Sequence, residues 1–111
     1  MGVVKHNAIV VVGFDCIPKH DINAVHSLAI NIFGNLVSEI VNGVCNGYKS
    51  FFIAPDGSKE GWEDSIIYDE KREEFYRRVD KSYVDIIEVR FGDDCVMGEI
   101  INPDFEYDLG D

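Results

Sequence analysis

The chain has 111 residues, 46% of them hydrophobic, with 21 acidic side chains against 10 basic ones for a formal charge of −11. That length suits one domain spanning residues 1–111 with its own core rather than two, and the apolar content is too high for wholesale disorder. A surface so negative repels phosphate backbones and anionic lipid, which argues against direct nucleic-acid or membrane binding.

The charge is divided unevenly. Residues 1–55 hold Lys5, Lys19 and Lys49 against Asp15, Asp21 and Glu39, a balance of zero, so the whole net charge falls in residues 56–111. Cys16, Cys45 and Cys95 are odd in number and far apart, without a Cys-x-x-Cys pair. That usage fits a reducing, cytoplasmic setting better than a disulfide framework or a zinc ribbon. No apolar run approaches the ~18 residues of a membrane span, and "MGVVKHN" has neither the regions of a signal peptide nor a myristoylation pattern.

In chain order, "NAIVVVGF" (Asn7–Phe14) is an unbroken β-branched run closed by Gly13, Asp15 and Pro18, which predicts a buried strand. Asp21 is suited to cap a helix in which Ile22, Val25, Leu28, Ala29, Ile32 and Phe33 share one face and Gly34 marks the stop. Leu36–Val41 reads as a strand, although Leu36 and Ile40 also continue the helical stripe. A helix through Gly34 would cost only about 1 kcal/mol relative to alanine. Asn42-Gly43 and Asn46-Gly47 each suit a tight hairpin, leading into a strand "GYKSFFIA" that ends at Pro55.

A Pro-Asp-Gly turn follows, then a helix over residues 65–81. Its acids come early and its bases late, and Tyr68, Phe75, Tyr76 and Val79 lie on one apolar face. Tyr83–Phe91 and Cys95–Ile101 read as two further strands, and an acidic tail begins at about residue 102. The order β-α-β-β-α-β plus a C-terminal hairpin matches the ferredoxin-like split βαβ arrangement, an α+β fold with two helices on one face of an antiparallel sheet. Its first and third strands would be neighbours inside the sheet. The open face would need a cover, either the tail with Phe105 and Tyr107 or a second copy of the chain.

Two regions are candidates for function. The loop Asp56–Trp62 could hold an anionic ligand through Gly57, Ser58 and Lys59, with Trp62 beside it. It lacks the Gly-Lys-Ser/Thr ending of a P-loop, and Pro-Asp-Gly is also what a plain corner requires. In that structural reading Trp62 packs beneath the loop and anchors the helix.

The second region is a one-sided array of carboxylates and aromatics that would fit a basic groove on another protein. It comprises Glu63, Asp64, Asp69 and Glu70 at the helix, Asp93 and Asp94 at the hairpin, and Asp104, Phe105, Glu106 and Tyr107 in the tail. Asp15, Cys16, His20, Asp21 and His26 cluster after the first strand, but their spacing fits no zinc pattern. Neither a metal nor a cofactor is expected. Carboxylates without a nucleophile or pocket do not make a catalytic pair.

The segment "NGYKSFFIAPDGSKEGWEDS", with the acidic helix and the "IEVRFGDD" strand after it, resembles small proteins of bacterial phages and prophages over the last two-thirds of the chain. No activity attaches to that group. The resemblance implies an accessory protein of a phage or mobile element, among which inhibitors of host machinery and dimers are common. The residues and the resemblance together lead us to expect a small acidic, non-enzymatic binder of a protein partner, with a basic, nucleic-acid-handling host protein as its candidate target. The alternative is a small anion-binding domain or enzyme built on the Asp56–Trp62 loop.

Overall fold

The computed structural model describes residues 6–14, 22–58, 61–79, 84–92 and 95–101, the last segment by its backbone and Ile100. Its elements are β1 (His6–Phe14), α1 (Ile22–Phe33), β2 (Val41–Asn42), β3 (Tyr48–Ile53), α2 (Glu63–Arg78), β4 (Val84–Gly92) and β5 (Cys95–Ile101). The strands form one antiparallel sheet in the order β2-β3-β1-β4-β5. β1 and β3 pair inside it, as their continuous apolar runs suggest. Among the described residues no helix is long and apolar enough to cross a membrane.

Strand alternation assigns the two faces. Ile9 and Val11 of β1 are in register with Ile53 and Phe51 of β3, and Val11 also faces Ile86 of β4. These side chains are buried together with Ile22, Val25, Ala29, Ile32 and Phe33 of α1 and with Phe75 and Val79 beside them. Both helices therefore pack on one face. Phe33 and Phe75 meet edge to face at 5.9 Å, closing the two helices over the sheet. Full burial of a side chain such as Phe75 is worth about 2–3 kcal/mol of hydrophobic transfer.

Between α1 and β3 the structure corrects the sequence expectation. Leu36–Val41 is not a continuous strand: a three-ten turn spans Gly34–Leu36, a single bridge joins Val37 to Ile53, and pairing resumes only at Val41–Asn42. Gly34, at φ 63°, ends the helix. Ser38 then interrupts the ladder, because its hydroxyl takes the Phe52 N–H at 2.9 Å while its own N–H donates to the Phe52 carbonyl. The hairpin turn itself uses Asn46 and Gly47, both at positive φ, as Asn-Gly pairs do in tight hairpins.

His26 is structural. Its ring lies against Phe51 at 4.9 Å and its Nε2 reaches the Ser38 carbonyl at 2.8 Å. Asp15, Cys16, His20 and Asp21 lie outside the described residues. α2 begins at Glu63, two residues before the expected start, and ends at Arg78, three short of the expected Lys81.

Candidate functional site

The site is built from the loop that leaves β3 and the helix it feeds. Ala54 donates its N–H to the Leu36 carbonyl, which fixes the strand end, and the chain turns at Pro55. The Asp56 carboxylate then accepts hydrogen bonds from both the N–H and the hydroxyl of Ser58, a side-chain substitute for a backbone turn. Gly57 sits at φ 84° and Gly61 at φ 91°, where a side chain would be strained. Gly57 and Ser58, both predicted as ligand contacts, thus shape the corner.

Trp62 does not pack beneath the loop. It stands in extended conformation at the helix cap position and is 51% exposed. The reason lies below it, where the space between loop, helix and sheet is polar. A cleft of about 150 Å³ there is lined by Asn7, Asp56, Ser58, Ser65, Asp69, Arg72 and Arg90, and an indole in it would desolvate those groups without pairing them.

Arg72 is the centre of this region, and it is only 8% exposed. Its Nη2 donates to Asp69 at 2.5 Å, its Nη1 lies 3.6 Å from Asp56, and its Nε lies 4.0 Å from Glu88. Glu88 is itself 7% exposed and accepts from Asn7 and from the Tyr76 hydroxyl, both at 2.6 Å. The network thus joins β1, β4, α2 and the loop. β4 carries an irregularity in its pairing with β5 between Arg90 and Gly92, next to the cleft.

The outer surface of α2 has the opposite character. Trp62, Ile66 and Ile67 are exposed large apolar residues at the start of the helix, and exposed Glu63, Asp64, Glu70 and Glu73 surround them. The two cations of this stretch turn back into the fold. Arg72 serves the buried network, while Lys71 donates to the Ile32 carbonyl at 2.9 Å and lies over the Tyr68 ring. Among the described residues, the exposed side chains left on the first three turns are acids around an apolar centre, and exposed Arg77 and Arg78 follow only in the last turn.

Of the predicted ligand contacts, Gly57 and Ser58 form the corner, Trp62 heads the ridge, and Lys59 lies outside the described residues. Of the predicted partner contacts, Glu63, Asp64 and Glu70 lie on the ridge, whereas Asp69 spans ridge and cleft through Arg72. Asp93, Asp94, Asp104, Phe105, Glu106 and Tyr107 lie outside the described residues. Arg72, Glu88, Asn7 and Tyr76 were not anticipated. A signal for Arg72 was present, because it occupies the same stripe as Tyr68, Phe75, Tyr76 and Val79, and a charge on an apolar stripe calls for a buried partner.

Among the described residues no three His, Cys, Asp or Glu side chains are grouped to hold a metal ion. No protein-family model, curated protein or solved structure matches this chain.

Proposed function

We propose that this chain is a non-enzymatic binding protein that docks onto a basic protein surface through the first three turns of α2. The observation that carries the reading is the ridge, where Trp62, Ile66 and Ile67 are exposed among acids while Lys71 and Arg72 are turned inward. Large aromatic and aliphatic anchors supply most of the energy of such an interface, each at about 2 kcal/mol or more when buried at its centre. Exposed charges around them contribute less, about 0.2–1 kcal/mol each. Their larger effects are to steer a basic partner and to exclude acidic ones.

The resemblance to phage and prophage proteins makes a nucleic-acid-handling host protein the candidate partner, since its groove already has the complementary charge. The strand order supports reading the fold as a ferredoxin-like split βαβ extended by β5. In that reading the helices and the ridge share one side of the sheet.

The ligand-binding alternative draws less support. Ordinary ligand pockets occupy about 300–1,000 Å³, and the cleft here has about half the lower figure. Of its two guanidinium groups, Arg72 and Arg90, that of Arg72 is already engaged by three carboxylates, so an anion binding to it would have to displace them.

The test is affinity capture on the immobilised full chain, followed by titration of each purified partner. Trp62 is the sole tryptophan, so its emission reports the interface directly. A partner should be held at low ionic strength and released as salt rises. Trp62→Ala should abolish capture, and Glu63→Lys with Glu70→Lys should weaken it at least tenfold. Capture of nothing, or of proteins indifferent to these substitutions, overturns the reading.

A further inference from the structure

The face of the sheet opposite the helices carries a second surface that the ridge does not use. Phe52, Val10 and Ile87 stand in one row across β3, β1 and β4, and they are 40%, 36% and 38% exposed. Ala8, Val89 and Ile100 form the next row across β1, β4 and β5. Edge-on and tilted ring pairs bound the patch, Phe14 with Tyr48 on one side and His6 with Phe91 on the other, both at 5.3 Å. Among the described strand residues of this face, Asp85 is the one carboxylate, and there is no lysine or arginine.

We propose that this face binds a second copy of the chain, making a homodimer by sheet-on-sheet packing with the helices and ridges outward. Two observations select that occupant. The first is charge: each copy carries −11, so a like copy can approach closely only through a surface nearly free of carboxylates. A basic partner would instead be drawn to the ridge on the opposite side.

The second is area. Five strands about 4.8 Å apart and about seven residues long give a flat face of roughly 500 Å². Pairing two such faces buries about 1,000 Å², where specific interfaces begin, and the relief of the side chains adds to it. Aligned sheets pack about 10 Å apart with side chains interleaved, a distance that half-exposed Phe52, Val10 and Ile87 can fill.

The experiment is light scattering and sedimentation of the full chain at about 50 µM, a concentration well above a micromolar dissociation constant. The expected result is a dimer at twice the 12.5 kDa chain mass. Association should tighten as salt rises, because screening relieves like-charge repulsion, whereas capture of a basic partner by the ridge weakens. Opposite salt responses keep the failure of one proposal distinct from the failure of the other.

Phe52→Lys and Ile87→Lys should each weaken the dimer by at least about 30-fold, the effect of losing a central contact. Ile30→Lys, at an equally exposed position on α1, should leave it unchanged. Circular dichroism and melting temperature establish that each variant is folded. A monomeric wild type overturns the proposal, whether the face is then covered by residues 102–111 or by another protein. Dimers that persist in both folded lysine variants overturn it as well.

Discussion

Replacing Arg72 by Met separates the buried network from everything else in α2. Methionine keeps the apolar stem of the side chain out to about the Nε position, and its helix propensity is close to that of arginine, so the change removes the charged guanidinium and little more. Three carboxylates lose a cation, but unequally. Asp69 is 66% exposed and an i,i+3 neighbour, so its contact contributes only a few tenths of a kcal/mol. The side chains of Asp56 and Glu88, taken alone, are 11% and 10% exposed, and removing the partner of a buried charge costs about 3–5 kcal/mol.

The donors that remain reduce that figure, since Ser58 still serves Asp56, and Asn7 and Tyr76 still serve Glu88. The expected loss is therefore about 2–4 kcal/mol, which for a domain of this size lowers the melting temperature by about 10–20 °C. Urea unfolding followed by circular dichroism measures it. Adding Glu88→Gln to Arg72→Met should cost at least about 1 kcal/mol less than the sum of the two single changes, because the orphaned charge is gone. A loss below about 1 kcal/mol for Arg72→Met, or strict additivity in the pair, would refute the view that this network is desolvated and coupled.

Phe75 has no exposed surface, so Phe75→Ala should remove about 3–5 kcal/mol and leave a chain with little or no cooperative unfolding transition. Gly43→Ala places a Cβ 2.8 Å from the Tyr48 carbonyl oxygen, the same atom that accepts the Gly43 N–H. It should lower stability by about 1–3 kcal/mol in the same urea assay. Glu63→Lys, by contrast, lies on the exposed first turn and should lower stability by no more than about 1 kcal/mol through the helix dipole. Loss of partner binding in that variant therefore reports the interface and not the fold.

Most of the architecture is legible in the residues. The β-branched run at Asn7–Phe14, the helical stripe from Ile22 to Phe33 and the Asn46-Gly47 turn all act through local forces that sequence spacing records. Leu36–Val41 is different, because its conformation depends on where a single Ser38 hydroxyl goes, and a hydroxyl can serve either a ladder or a side-chain bond. "VDIIEVRFG" is apolar on both parities, so alternation cannot say which face takes Ile86 and which Ile87. Only the packing of β4 beside β1 places Glu88 opposite Ile9. Trp62 was misplaced for a related reason: an aromatic residue next to a corner is an obvious plug until the corner proves to enclose Arg72.

That arginine connects the two halves of the argument. Were Arg72 exposed, it would put a cation in the middle of the carboxylates that precede it on α2 and weaken the ridge as a surface for basic partners. Buried, it is neutralised by Asp56, Asp69 and Glu88, and in holding Asp56 it also fixes the Asp56–Ser58 corner near the start of the helix. Trp62 is then carried outward at the head of the ridge. The network is thus a positioning device for the surface above it. Its loss should weaken partner binding even at temperatures where the Arg72→Met chain stays folded, and Trp62 emission at low temperature distinguishes this from simple unfolding. If that variant binds like the wild type while folded, the network contributes stability alone.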